Sequence, residues 1–283
     1  MNTIINATTK ETHGGAVWKV RWAHPTFGQI LATCSFDNTV HIFEETVPDT
    51  SDQSLSRTGV QSGKFDSSNR WRRRRALTDS GSNVTDIQFA PHFLGLMIAT
   101  CNALGKVIIY EAEDVLDLDN WTIVFEGEVF KHRCGSLSWS TNRYRHSDLT
   151  IKESFGELTD QVTYVCFAPS AGLSFHKLAV AVGARIQIYN IHVHTDENLK
   201  SNDHHDYMDY TSLETEKVSV LENGKSQVLR ISWNIIGDTI SAVYSDGVVR
   251  LWKCTFKNNW EVVSVVQPSQ ENSSKQGVQG IYY

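Results

Sequence analysis

An internal repeat constrains the fold of this chain more than any other feature of its sequence. Three short apolar runs in a first copy recur 67 residues later in a second copy, at residues 17–25, 30–35 and 40–43 and then at 84–91, 97–102 and 107–110. A third copy covers residues 162–189, and a fourth covers 228–252. Repetition at this spacing is typical of solenoids and propellers, in which each copy is one structural unit.

Each copy is rich in β-branched and aromatic residues, and its apolar runs are separated by Gly, Asp, Asn or Pro, which favours consecutive antiparallel strands over helices. A further apolar run flanks the copies, as at residues 121–125, 217–221 and 260–266. Four strands per unit predict the blades of a β-propeller, in which sheets pack face to face around an axis. The predicted fold class is therefore all-β.

One unit of the repeat is too short to be a blade. The aromatic anchor of the first strand falls at Trp22, Phe89, Trp139, Phe167 and Trp233, so that consecutive anchors are 67, 50, 28 and 66 residues apart. A spacing of 28 leaves no room for four strands, and we expect the unit that begins at Cys134 to lack its second and third strands. The sequence predicts an open, incomplete propeller of about four full blades plus a fragment, with the anchors buried between adjacent sheets.

The predicted propeller is a single domain over residues 1–266, followed by a disordered tail over 267–283. Two polar insertions, at 45–69 and 191–215, lack strand patterning and are expected to be mobile. The second insertion contains His192, His194, His204 and His205 among acidic residues. Such side chains bind metals, but a mobile loop lacks the geometry of a specific site, so no metal is predicted.

Composition excludes several classes of protein. There are 26 Lys and Arg against 32 Asp and Glu, a net charge of −6, which disfavours a nucleic-acid binder. Five cysteines without a C-x-x-C pair are typical of reduced intracellular thiols. A secretory leader or an apolar run long enough to cross a membrane is not expected. Phosphate-binding glycine loops and hydrolase motifs are also missing, so the sequence predicts neither a catalytic site nor a cofactor.

Long strings of the repeat resemble one family of WD-repeat proteins. Residues 22–37 resemble the second blade of the Seh-type nucleoporins, which are relatives of the Sec-thirteen coat protein. Residues 89–112 are similar to the third blade of that family, and residues 231–260 to its last blade. The first blade of the family, which should precede residue 11, is missing, so the docking edge of the family's partner cannot be transferred residue by residue.

The resemblance implies an open six-bladed propeller that accepts an extra blade from an α-solenoid nucleoporin. It implies a non-enzymatic scaffold of the Y-shaped subcomplex of the nuclear pore, at the nuclear envelope, which supports pore assembly and the transport of protein and mRNA. Other Y-complex nucleoporins would be its partners, and a small-molecule substrate would not. The alternatives are a subunit of a GATOR-type nutrient-signalling complex at the lysosome and, more distantly, a peptide-binding WD-repeat adaptor.

Two further groups of residues are candidate sites. WD-type blades often contain a buried hydrogen-bond network, and the resemblance places His13 and Asp37 in it; no nucleophile accompanies this pair, which favours a structural role. A basic run surrounds Trp71 and contains Arg70, Arg72, Arg73, Arg74 and Arg75. This run is predicted to be a solvated outer strand, with phosphate binding or a nuclear localisation signal as the alternative.

Overall fold

A computed structural model describes residues 13–45, 71–129, 133–140, 161–169, 172–195, 210–222 and 224–268. Within these ranges the chain forms four antiparallel sheets of four strands each, and the strands of every sheet follow one another in chain order. Blade 1 contains β1 (Val17–Trp22), β2 (Ile30–Ser35), β3 (Val40–Glu45) and β4 (Trp71–Leu77). Blade 2 contains β5 (Val84–Phe89), β6 (Met97–Asn102), β7 (Lys106–Glu111) and β8 (Thr122–Glu128).

The last two blades repeat this order. Blade 3 contains β9 (Val162–Phe167), β10 (Phe175–Val182), β11 (Arg185–Thr195) and β12 (Tyr210–Glu222). Blade 4 contains β13 (Val228–Trp233), β14 (Thr239–Tyr244), β15 (Val249–Cys254) and β16 (Trp260–Val266). The predicted all-β propeller with four full blades is confirmed.

Short 3-10 turns of three residues are the helices of the described chain, at Pro25–Phe27, His92–Leu94 and Phe256–Asn258. The first two occupy the same repeat position and end at Gly28 and Gly95, whose φ angles are 91° and 92°. A residue with a side chain is disfavoured at such angles, which explains why glycine closes both turns. None of these helices is long and apolar enough to cross a membrane.

Adjacent blades share their apolar cores. Alternate residues of β2 and β3, such as Ile30 and Ile42, pack in one cluster with Ile87 and Ile98 of blade 2. Blades 3 and 4 form an equivalent cluster, which includes Ile188 and Ile231. Since side chains alternate between the two faces of a strand, each sheet has one face toward the preceding unit and one toward the following unit.

Residues 133–140, which we call the bridging segment, lie between blades 2 and 3. They pair with no sheet in the described chain. Trp139 donates its indole N–H to the carbonyl of Gln88 at 3.1 Å, on blade 2. On the other side, the hydroxyl of Ser138 accepts the backbone N–H of Phe167, on blade 3, at 2.9 Å. The described residues of the predicted fragment therefore form one segment without a strand, and it contacts a full blade on each side.

A buried ion pair joins blade 1, blade 2 and the bridging segment. Lys19 Nζ lies 2.5 Å from Asp86 Oδ1, and Asp86 is 0% exposed. The second oxygen of Asp86 accepts the backbone N–H of Leu137 at 2.9 Å. Burial lowers the pKa of Lys19, and the negative charge of Asp86 opposes this shift. Both charges depend on each other, because either one alone would be buried without compensation.

The predicted bounds of the second insertion are wrong. Residues 191–195 still belong to β11 and residues 210–215 to β12, and the two strands pair from Ile191 opposite Thr215 to Thr195 opposite Tyr210. The polar sequence of this hairpin looks like a loop, but its backbone ladder continues the sheet. Residues 196–209 lie outside the described chain, as do residues 46–69 of the first insertion and residues 269–283 of the predicted tail.

Replacing Ile231 by Ala should destabilise the propeller by about 2–5 kcal/mol, because it removes methylene groups from the core between blades 3 and 4. Ile231 is 2% exposed, whereas Ile235, two residues beyond the same strand, is 90% exposed. Ile235→Ala is therefore the matched control and should change stability little. Urea unfolding measures both variants, and an equal loss in both would contradict the assigned core.

Replacing Asp86 by Asn should cost about 3–5 kcal/mol, because it leaves the buried ammonium of Lys19 without a counter-charge. The control is Asp119→Asn, which removes a surface carboxylate paired with Arg74 at 3.2 Å and should cost about 1 kcal/mol or less. The free energy of unfolding, measured with urea, distinguishes the two. A loss of similar size in both variants would show that the buried pair has no special role.

Candidate docking site

Two of the anchor residues attach their unit to the unit before it through a hydrogen bond. Trp233 of blade 4 donates its indole N–H to the carbonyl of Cys166, in blade 3, at 3.0 Å. Trp139 makes the equivalent bond to Gln88, and in both cases the acceptor immediately precedes the anchor of the earlier unit. Phe89, which has no such donor, packs on the core that blades 1 and 2 share. An anchor is therefore covered only if a unit precedes it.

The prediction that all anchors are buried is wrong for Trp22, which is 50% exposed. Phe89, Trp139, Phe167 and Trp233 are partly buried. Trp22 belongs to β1, and the described chain contains no sheet before this strand. Its indole consequently has neither the carbonyl nor the apolar face that the later anchors meet.

The open face of blade 1 is aromatic, and we call it the docking face. In the strand register, Trp22 lies opposite Leu31, and Leu31 lies opposite Phe43, so the three side chains share one face of the sheet. Their neighbours Ile30 and Ile42 pack toward blade 2, so this face points away from it. The ring of Trp71, on the outer strand β4, lies edge-on to Trp22 with a centroid distance of 5.3 Å. Exposed aromatic side chains of this kind are common at the centres of protein interfaces.

Blade 4, the last sheet of the described chain, also has an open face. Thr85 and Thr163 occupy the same repeat position, and each donates its hydroxyl to a carbonyl of the next unit, Cys134 and Val228 respectively. Leu229 is the equivalent residue of blade 4, and it is 48% exposed. No described sheet follows blade 4. Trp22 and Leu229 thus mark the two sides of one gap in the ring.

The structure brings His13 and Asp37 together next to the docking face. His13 Nδ1 lies 2.9 Å from Asp37 Oδ2, and His13 Nε2 lies 2.7 Å from the hydroxyl of Thr33. Thr39 donates both its N–H and its hydroxyl to the other oxygen of Asp37. The ring of His13 also stacks on His41 at a centroid distance of 3.7 Å. These bonds join the segment before β1 to the β2–β3 turn.

The environment of this network shifts three pKa values downward. Burial lowers the pKa of His13, although Asp37 opposes the shift. Burial, together with the positive charges of His13 and Arg73, lowers the pKa of His41 to about 4. For Asp37 burial acts in the opposite direction, but hydrogen bonds from Thr39 and the charge of His13 outweigh it and lower the pKa to about 2. The stable form at neutral pH has neutral imidazoles beside an ionised Asp37.

The basic run forms β4, the outer strand of blade 1. Arg74 lies between two carboxylates, with its Nε 3.2 Å from Asp119 and its Nη1 3.7 Å from Glu44. Arg72 and Arg75 are exposed. Charged residues on an outer strand disfavour pairing with other chains. Arg70 lies outside the described chain.

The histidine-rich insertion is only partly described. His192 packs against Phe175 with a centroid distance of 5.4 Å, and His194 Nε2 lies 3.2 Å from Glu214. Both belong to β11, whereas His204 and His205 lie outside the described chain. Among the residues that the structure describes, no group of three or more His, Cys, Asp or Glu could hold a metal ion.

Sequence reasoning missed the Lys19–Asp86 pair, although a signal was present. The two residues are 67 apart, the offset between the first two copies, so they occupy the same position of neighbouring first strands. Opposite charges at one repeat position, inside strands that are otherwise largely apolar, indicate a pair across adjacent blades.

Comparison with known proteins extends over the whole propeller. Residues 6–44 match the family model described as "WD domain, G-beta repeat". The chain is 36% identical over 301 residues to nucleoporin SEH1-B of Xenopus laevis, which covers 96% of this chain and 78% of that protein. It is 35% identical over 299 residues to nucleoporin SEH1 of Homo sapiens, covering 94% and 78%. It is 34% identical over 286 residues to nucleoporin SEH1 of Danio rerio, covering 91% and 73%.

Acidification should destabilise this propeller between pH 6.5 and pH 4. The pKa of His41 is about 4 in the folded state and near 6.5 in the unfolded state, so the unfolded chain binds more protons in this window. The stabilising effect is fully present above pH 6.5 and is lost as the pH falls. In His41→Phe the ring stack is retained and the titrating group is removed, so the decline should be smaller.

Melting temperatures at pH 7.0, 5.5 and 4.5 provide the measurement. The unmodified protein, measured under the same conditions, is the reference for the decline. A decline in His41→Phe as steep as in the unmodified protein would refute this assignment.

Proposed function

This chain belongs to the SEH1 family of WD-repeat nucleoporins, and from this premise we propose that it is a non-enzymatic scaffold subunit of the nuclear pore complex. Its place is the Y-shaped subcomplex at the nuclear envelope, where it supports pore assembly and the transport of protein and mRNA. The observation that carries the proposal is the half-exposed Trp22 on the docking face.

The occupant of the gap is a propeller blade donated by an α-solenoid nucleoporin. In this chain, Phe89 packs on the core that blades 1 and 2 share, and backbone carbonyls accept the bonds of Trp139 and Trp233. A donated sheet offers the same two features, a carbonyl on its first strand and an apolar face. Strand donation also removes open edges, which otherwise favour aggregation.

A scaffold role fits the chemistry of the best-placed polar cluster. Both carboxylate oxygens of Asp37 accept hydrogen bonds, from Thr39 in the β2–β3 turn and from the N–H of Gly14 at 2.8 Å. The His13 ring is held between Asp37 and Thr33, and no serine or cysteine of the described ranges hydrogen-bonds to it. No cofactor is needed for such a role. The nutrient-signalling alternative and its lysosomal location have no observation of their own in their favour.

Trp22→Ala should weaken capture of the α-solenoid partner about tenfold or more, because a central Trp often contributes 2 kcal/mol or more to an interface. The control is Leu116→Ala, on the rim of blade 2, where Leu116 is 89% exposed but outside the docking face. Co-expression with an α-solenoid nucleoporin, followed by affinity capture and titration, measures both. Equal capture by the two variants would exclude the docking face as the binding surface.

The same co-expression tests the open ring. With the docking face and the face of Leu229 uncovered, the chain should be poorly soluble when produced alone and be rescued by the partner. A soluble, monodisperse monomer in the absence of any partner would contradict the proposed need for a donated blade.

A further inference from the structure

Four residues occupy the third position of the innermost strands, and they converge on the axis of the propeller. They are Lys19 of β1, Asp86 of β5, Tyr164 of β9 and Arg230 of β13. Lys19 Nζ, which is paired with Asp86, lies 5.5 Å from the centroid of the Tyr164 ring, so blades 1, 2 and 3 meet there. Arg21 lies two residues beyond Lys19 on β1, on the same side of the strand.

The innermost strands contain more basic than acidic residues. The four first strands contain three basic residues, Lys19, Arg21 and Arg230, and a single acidic one, Asp86. Asp86 is fully used, by Lys19 through one oxygen and by the N–H of Leu137 through the other. Arg21 and Arg230 form no ion pair within the described chain. Two uncompensated guanidinium groups remain in a protein whose overall charge is −6.

The two free arginines act on one side chain. Burial raises the pKa of the Tyr164 phenol, and the positive charges of Arg21 and Arg230 both oppose this shift. The same two arginines act on Lys19 and lower its pKa, in addition to the larger effect of burial. Charges from β1 and β13 therefore reach the same place, beside a phenol that can donate a hydrogen bond.

We propose that the axial cluster of Arg21, Tyr164 and Arg230 is a binding site for a small anion that carries phosphate groups. The forked donors of the two guanidinium groups suit the tetrahedral oxygens of a phosphate, and the Tyr164 hydroxyl adds a neutral donor. Lys19 contributes charge at longer range while it remains paired with Asp86. The anion would neutralise the excess charge at the centre of the ring.

The position of the cluster decides the size of the ligand. Lys19 is 8% and Tyr164 9% exposed, Arg21 is half-buried, and Arg230 is exposed beside the gap in the ring. A nucleic-acid duplex or a membrane surface cannot enter the centre of a ring of sheets. A small phosphorylated molecule can do so, which distinguishes this site from the exposed arginines of β4.

Calorimetric titration of the full chain, in the co-expressed complex that is expected to keep it soluble, with inorganic pyrophosphate tests the site. We expect saturable binding with one pyrophosphate per chain. Arg230→Gln and Arg21→Gln should each weaken it about tenfold or more, the usual effect of losing hydrogen bonds to a charged group. Arg72→Gln makes the same change of charge on the exposed outer strand and should leave the affinity unchanged.

Arg230→Lys tests whether a loss of binding is caused by misfolding. It retains the charge but lacks the fork, so binding should weaken while the near-ultraviolet circular dichroism stays unchanged. Absence of saturable binding by the unmodified chain would overturn the proposal. Equal affinity in Arg230→Gln, Arg21→Gln and the unmodified chain would also overturn it, and so would an equal loss in Arg72→Gln, which would move the binding to β4.

Discussion

The carboxylate of Asp86 is the contact on which the arrangement of the propeller depends. One oxygen holds the ammonium of Lys19 in blade 1, and the other holds the backbone of Leu137 in the bridging segment. Three parts of the chain thus meet at a group that is 0% exposed. Apolar packing between sheets tolerates small displacements, whereas a buried charge pair does not, because separating it leaves both ions without solvent or partner.

The open ring follows from the way in which the units attach to one another. The carbonyl of Cys166 in β9 accepts the indole N–H of the anchor Trp233 from the unit after it, and the carbonyl of Val228 in β13 accepts the hydroxyl of Thr163 from the unit before it. Because a unit bonds differently to the unit before it and to the unit after it, an incomplete ring leaves two different faces uncovered, one at each end. Trp22 is the unused anchor, and Leu229 stands on the opposite face. The gap has two different sides and therefore accepts a sheet in one orientation.

The repeat made most of the fold predictable from the sequence, since a constant offset locates the strands of each blade and a spacing of 28 residues locates the fragment. The failures have physical causes. The repeat position of Trp22 determines which way its side chain points, but the presence of a neighbouring sheet is not encoded there. The ends of β11 and β12 look like a loop because their stability comes from the backbone ladder and not from apolar side chains. Lys19 was missed because a charged residue in a strand is ordinarily exposed.

The axial cluster and the gap in the ring are physically linked through Arg230. This residue occupies the repeat position of Lys19 on the last blade, and like Leu229 it is exposed where no described sheet follows. A blade that docks there covers a guanidinium group, and covering a charge is favourable only if a carboxylate or a bound anion lies beside it. In blade 1 the residue at this position is Lys19, and Asp86 of blade 2 provides the carboxylate beside it. If the donated blade has no acid at the equivalent position, the proposed anion meets the requirement, and docking of the blade and binding of the anion each strengthen the other.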